Sequence, residues 1–269
     1  MVFIGYLASL IIGLSLGLIG GGGSILTVPV LVYLFKVNPV IATAYSLFIV
    51  GSTSLVGAVP KYRQGDVDLR TALIFGLPSI AAVFITRKYI VPAIPHEIIT
   101  VGGFVVTKPI FMMLVFAILM IAAATIMLRN QKLQDSTDLS TRTGSVLITG
   151  LQGALEGSIT GLVGAGGGFL IIPVLVLFSK LPMKKAIGTS LLIIAVKSLI
   201  GFTGDLGHTA IDWRLLLAVT SLAIGGIFIG NRFSKKVAAD QLKKGFGWFV
   251  LAMGIYIIIA ELFIGSAHQ

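Results

Sequence analysis

Two glycine clusters are the stretches of this chain in which the backbone itself could do chemistry. They lie in GLIGGGGSILTVPVLV, which starts at Gly17, and in GLVGAGGGFLIIPVLV, which starts at Gly161. Without Cβ atoms, an anion can approach peptide N–H groups directly, and a helix N-terminus adds about half a positive charge. We predict helix starts at residues 24–25 and 169–170 and an anion site between the clusters. The predicted glycine ligands are Gly20, Gly21, Gly22, Gly23, Gly164, Gly166, Gly167 and Gly168.

Polar side chains near these clusters could complete the site. Lys197 lies inside a long apolar segment, where a charge costs about 2.5–3.5 kcal/mol to insert, so we expect it to balance an anionic substrate or carry a coupling proton. Glu156 precedes the second cluster and is the candidate coupling group, although a structural pair with Lys197 is the alternative. The hydroxyls predicted to bind substrate are Ser24, Ser46, Thr189 and Ser190. Such hydroxyls also commonly bond to their own helix backbone.

Other polar residues are better explained by structure. Asn38, Asp68 and Asp212 each stand just before a predicted helix and are expected to cap it. The three histidines are scattered without metal-binding spacing, and the chain has no cysteine. We therefore predict no metal, no cofactor and no catalytic constellation, which argues against an enzyme. The histidines are His96, His208 and His268.

Composition identifies the setting of these residues. Of 269 residues, 56% are hydrophobic and 11% are charged, with a mean hydropathy of +1.04. A soluble domain has about 45–50% apolar and about 25% charged residues. The sequence therefore predicts an all-α polytopic membrane protein in the lipid bilayer. Its net charge of +10 resides in loops without a nucleic-acid-binding motif, so we expect no nucleic-acid partner.

The chain is an internal duplication. Adding 144 to a residue number brings the first glycine cluster onto the second without a gap, and it also brings Ser46 onto Ser190 and Thr53 onto Lys197. We predict a first transmembrane repeat at 1–128, a polar cytoplasmic linker at 129–144 and a second repeat at 145–269. Each repeat would hold about four spanning helices and one short glycine-broken half-helix, a pattern that points to secondary transporters.

The basic residues favour oppositely inserted repeats. In the inverted interpretation one side receives the loops 61–70, 129–142, 180–185 and 232–244, with fourteen Lys and Arg. The other side receives five, namely Lys36, Arg87, Lys88, Lys108 and Arg214. Parallel repeats would divide the charges more evenly, so we predict inversion, with the rich side cytoplasmic and both termini outside. The segment after Pro95, which the second repeat lacks, is predicted as an external hairpin.

The pattern G-x-x-G-x-G-G-x-x-x-x-x-P, present in both clusters, resembles the TauE/SafE family of sulfite exporters over essentially the whole chain. The resemblance implies a plasma-membrane secondary transporter, with export as the direction and sulfite or organosulfonates as substrates. Residues 96–108 depart from the family's pattern. The alternative is an uncoupled anion channel with the same glycine-lined site. The absence of an ATPase motif leaves a proton, another ion or the membrane potential as the driving force, and a homodimer is compatible with a bundle of this size.

Overall fold

The computed structural model describes residues 2–101, 104–129, 146–177, 179–207, 211–233 and 239–264. The predicted linker at 129–144 lies outside this part of the chain except for its first residue, as do His208 and His268. The helices of the first half are α1 (Val2–Ile19), α2 (Thr27–Pro29), α3 (Pro39–Arg63), α4 (Leu69–Ile85), α5 (Val91–Ala93) and α6 (Lys108–Arg129). Those of the second half are α7 (Val146–Val163), α8 (Gly168–Leu177), α9 (Met183–Thr203), α10 (Trp213–Phe233) and α11 (Ala239–Ile259).

Segments with other helical geometries extend several of these helices. A 3-10 segment at Gly20–Leu26 follows α1, and a π-helical segment at Val30–Leu34 follows α2. Two further π-helical segments, Thr86–Ile90 and Ala260–Ile264, follow α4 and α11. The segment after α4 carries the chain from α4 into α5 as one long apolar span, Leu69–Ala93.

The predicted all-α polytopic membrane fold is confirmed. Six helices in the described residues are long and apolar enough to cross a bilayer: Pro39–Arg63, Leu69–Ala93, Lys108–Thr125, Val146–Val163, Met183–Thr203 and Trp213–Phe233. Shorter apolar helices occupy Phe3–Leu18, Gly23–Leu34 and Gly247–Leu262. Large apolar side chains such as Leu77, Leu147 and Phe228 are exposed on the outside of the bundle, as a lipid-facing surface requires.

Corresponding helices of the two halves make corresponding contacts. Helix α1 packs on α10 just as its counterpart α7 packs on α4, while α3 packs on its own counterpart α9 and α6 on α11. Glycines make the first of these seams close: Gly13 lies against Ala223 and Gly17 against Gly230, so α1 and α10 run parallel. Small residues allow such close backbone approach in membrane bundles.

Helices α3 and α9 run antiparallel at the centre of the bundle. Gly57 lies against Leu191, and the position equivalent to Gly57, Gly201, lies against Leu47. Leu47 and Leu191 are themselves equivalent, so the two contacts exchange under a two-fold operation. Equivalent helices therefore point in opposite directions where they meet.

The predicted hairpin after Pro95 is confirmed as a hairpin. Strands β1 (Glu97–Val101) and β2 (Phe104–Thr107) pair antiparallel, with Val101 opposite Phe104. Its external location stays a prediction. The hairpin ends directly at α6, because Lys108 donates its backbone N–H to the carbonyl of His96.

Candidate functional site

The first glycine cluster is helical, which corrects one expectation. We predicted a helix start at residues 24–25, but the 3-10 segment already begins at Gly20. The physical reason is local: Gly20 has φ of +75°, which ends α1, and the tighter 3-10 turns then carry the chain onward. The first cluster therefore lies within a 3-10 segment, and the α-helix that follows it, α2, begins at Thr27 instead of at residues 24–25.

The second cluster agrees more closely with the prediction. Helix α8 begins at Gly168, one residue before the predicted start. The turn before it needs glycine, because Gly164, Gly166 and Gly167 all have φ near +70°. Gly167 accepts hydrogen bonds from the backbone of both Leu170 and Ile171, which fixes the first turn of α8.

The two clusters meet backbone to backbone. A Cβ added to Gly168 would lie 2.2 Å from the carbonyl oxygen of Gly21, and one added to Gly21 would lie 2.5 Å from the Cα of Gly168. No residue with a side chain could occupy either position without displacing the other backbone. The chain therefore brings its two duplicated glycine segments into direct contact at the core of the bundle.

The hydroxyls predicted to bind substrate differ in their hydrogen-bond partners within the protein. Ser24 donates to the carbonyl of Gly21 and Ser190 to that of Ile187, both at 2.8 Å, as helix hydroxyls commonly do. Thr189 accepts a hydrogen bond from the backbone N–H of Asp68. Ser46 is fully buried, and its hydroxyl has no hydrogen-bond partner among the described residues.

Two serines that sequence reasoning missed share this property. Ser54 and Ser198 occupy equivalent positions of the repeat, both are fully buried, and neither hydroxyl has a partner within the described part of the chain. A Cβ on Gly166 would lie 3.4 Å from the Ser198 Oγ, so this hydroxyl borders the second cluster. The repeat alignment could have found them, because a duplicated serine beside Thr53 and Lys197 is visible in the sequence.

Lys197 and Glu156 form a buried ion pair, as the structural alternative anticipated. The Lys197 ammonium donates to the Glu156 Oε1 and, at 3.2 Å, to the Thr160 hydroxyl. Ser79 donates to the other carboxylate oxygen at 2.8 Å. The pair borders Gly167, where an added Cβ would lie 2.0 Å from the Glu156 Oε1. Charge balance within this group is therefore complete without a substrate.

Arg87 is the largest departure from the sequence interpretation. We counted it among the outer loop charges, but it lies in the continuous span Leu69–Ala93 with 0% of its surface exposed. Its Nη1 donates to the Thr43 hydroxyl at 3.0 Å and lies 3.5 Å from the Asp205 Oδ1. The chain continues helically through Thr86–Ile90, so Arg87 enters the bundle instead of a loop.

The residues interpreted as structural behave as such. Asn38 accepts from the Val40 N–H, Asp68 from the Thr71 N–H and Asp212 from the N–H groups that follow it, so all three predicted caps are confirmed. Within the described ranges, no group of three or more His, Cys, Asp or Glu residues is arranged to hold a metal ion.

Comparisons with known proteins agree with this architecture. The family described as "Sulfite exporter TauE/SafE" matches residues 5–257. A probable membrane transporter protein of Xylella fastidiosa (strain 9a5c) is 30% identical over 258 residues, covering 92% of this chain and 91% of the relative. The probable membrane transporter protein YdhB of Bacillus subtilis (strain 168) is 28% identical over 240 residues, covering 88% and 92%. No solved structure gives a significant match. The family match spans nearly the whole chain and both glycine clusters, and the chain belongs to the TauE/SafE sulfite exporter family of membrane transporters.

Proposed function

We propose that this protein is a secondary transporter that exports small sulfur oxyanions, sulfite or organosulfonates, across the plasma membrane. The anion would bind where the two glycine segments meet, on backbone N–H groups and buried hydroxyls. The family name supports the substrate class, and the glycine segments and buried hydroxyls of this chain support the site.

The meeting of Gly21 and Gly168 is the observation that carries the proposal. There the two glycine backbones lie directly against each other, and neither residue has a side chain of its own to keep an anion from its peptide groups. The hydroxyls of Ser46, Ser54 and Ser198 are buried without partners among the described residues, and that of Ser198 borders the second cluster. A buried polar group without a partner costs about 1–3 kcal/mol, so an anion that accepts these hydrogen bonds would be favoured.

Alternating access would follow from two oppositely inserted halves. The antiparallel contact of the equivalent helices α3 and α9 supports this arrangement, because parallel repeats would place equivalent helices in the same direction. One half rocking against the other would then expose the same central site first to one side and then to the other. The distribution of basic residues supports a cytoplasmic location for the loop after α3.

We assign ion coupling to Glu156 and Lys197. Protonation of the Glu156 carboxylate would release the Lys197 ammonium from its partner, and the freed positive charge would then be available to an anion beside Gly167. Such a pair links a proton to an anion without requiring a further ion. An uncoupled channel would not require such an ion pair.

The test is sulfite flux in liposomes containing the purified protein. With a proton gradient imposed and the membrane potential clamped, a coupled transporter moves sulfite against its concentration gradient, whereas a channel only dissipates that gradient. We expect uphill flux for the wild type and its loss in Lys197→Ala, with Lys88→Ala as the control because Lys88 carries the same charge at an exposed position. Absence of any sulfur-oxyanion flux would refute the proposed function, and downhill flux alone would favour the channel.

A further inference from the structure

We propose, on the basis of the proposed function, that the Arg87 guanidinium is the cationic group that binds the transported anion. Its Nε–H and Nη2–H edge would hold one sulfite or sulfonate group by two parallel hydrogen bonds. We call this position the Arg87 site. Neither the family match nor the names of the relatives assigns a role to this residue.

The guanidinium is occupied on one side only. Its Nη1 is held by Thr43 and Asp205, whereas Nε and Nη2 are fully buried and have no hydrogen-bond partner among the residues that the structure describes. Thr43 is itself fixed, because its hydroxyl donates to the Val40 carbonyl at 2.7 Å and so presents a lone pair to Arg87. Thr43 and Asp205 therefore orient the arginine and leave its opposite edge unused.

The unused edge has the geometry that oxyanions prefer. Nε–H and Nη2–H point in the same direction, and a planar fork of this kind binds two oxygens of a carboxylate, phosphate or similar group. Leaving two buried charged donors unpaired costs free energy. A ligand that accepts a hydrogen bond from each donor would remove that cost, which favours its binding.

Gly164 brings bare backbone, without a side chain, next to this edge of the guanidinium. A Cβ on Gly164 would lie 2.5 Å from the Arg87 Nη2, so any other residue would occupy the position in front of the guanidinium. Gly164 also belongs to the second glycine cluster, so the Arg87 site adjoins the proposed central site.

The local charge also favours an anion here. Lys108 interacts electrostatically with both Arg87 and Asp205, so two cations lie near this carboxylate in the part of the chain that the structure describes. The pair of Lys197 and Glu156 has no such excess, because both carboxylate oxygens and the ammonium already have partners. Of these two buried ion pairs, the one at Arg87 has cationic donors that lack a partner among the described residues.

The Arg87 site has no equivalent in the other half of the duplication. The positions equivalent to Arg87 and Thr43 are Asn231 and Ile187, and the Ile187 side chain lies against Gly20 where Thr43 lies against Gly164. Two equivalent anion sites would require a cationic residue at the position of Asn231. We therefore expect one anion per chain.

Binding to the purified protein tests the proposal. Sulfite, sulfate and thiosulfate are titrated separately against the wild type, Arg87→Gln, Arg87→Lys and the neighbouring control Lys88→Gln, with calorimetry and thermal unfolding as readouts. We expect one site per chain, a loss of about ten- to hundredfold in affinity for Arg87→Gln, a similar loss for Arg87→Lys and no change for Lys88→Gln. Arg87→Lys retains charge but not the two-pronged edge, so it separates geometry from charge.

Asp205→Asn provides a second test that does not depend on Arg87→Gln folding. Removal of the carboxylate leaves the arginine without its internal counter-ion, so oxyanions should raise the unfolding temperature more than they do in the wild type. Oxyanion affinity within twofold of wild type in both Arg87 variants, or no added stabilisation of Asp205→Asn, overturns the inference. Liposome flux tests the proposed function separately. Sulfite transport that survives in Arg87→Gln refutes only the Arg87 site. Arg87-dependent binding without sulfite flux refutes only the proposed function.

Discussion

At the scale of single residues, the two buried ion pairs differ in how well the sequence predicts them. Lys197 stands out because it interrupts a long apolar segment, and Glu156 follows from its position before the second cluster. Arg87 does not stand out, because Arg87 and Lys88 together before a proline resemble an interfacial loop. Only the fold separates them: successive residues of a helix point about 100° apart, so Arg87 is buried while Lys88 is exposed.

Breaking the pair of Lys197 and Glu156 from one side should be costly. We expect Glu156→Gln and Lys197→Met each to lower the free energy of unfolding by about 3–5 kcal/mol, because each leaves an uncompensated buried charge. The double variant removes both charges and should recover most of that loss. Denaturant unfolding of the detergent-solubilised protein measures the cycle. Purely additive losses would mean that the two side chains do not depend on each other.

At the scale of elements, the sequence predicts where the chain bends but not how. The glycine clusters correctly marked the ends of α1 and α7, and the start of α8 was predicted to within one residue. The 3-10 geometry after α1 was not predictable, because glycine permits 3-10 turns, irregular chain and a new helix alike. The segment also contacts Gly168, which lies 147 residues from Gly21 in the chain, and the local sequence gives no indication of that contact.

Two adjacent glycines of α10 provide a matched test of the seam between α1 and α10. A Cβ on Gly226 would lie 2.1 Å from the Leu10 carbonyl oxygen, whereas a Cβ on Gly225 would meet nothing within 4 Å. We expect Gly226→Ala to lower the free energy of unfolding by about 1–3 kcal/mol through overpacking.

Gly225→Ala is the control for that variant. It makes the same chemical change one position away, where the added methyl group faces outward, and we expect it to be neutral or to raise stability by up to about 1 kcal/mol through helix propensity. Thermal unfolding in one detergent measures both variants. Equal effects of the two substitutions would show that glycine is not required for close packing at this seam.

At the scale of the whole molecule, the duplication was visible in the sequence, but its orientation rested on loop charges alone. Those charges are an indirect guide, and Arg87 shows the weakness, since one residue counted for the outer side lies inside the bundle. The packing adds an independent argument. Equivalent helices α3 and α9 meet antiparallel, so the loops that follow them, at residues 64–68 and 204–207, should emerge on opposite sides of the membrane.

The absence of cysteine from the chain makes this topology directly measurable, because each introduced thiol is the only one present. We expect a membrane-impermeant maleimide to label Leu206→Cys in intact cells and Gln64→Cys only after permeabilisation, since both positions are exposed and the basic loop after α3 is proposed to be cytoplasmic. Labelling of both after permeabilisation is the control for thiol accessibility. The reverse pattern would keep the inversion and reverse its orientation. Labelling of both from the same side would make the halves parallel, and a single central site could then not be exposed alternately by two oppositely inserted repeats.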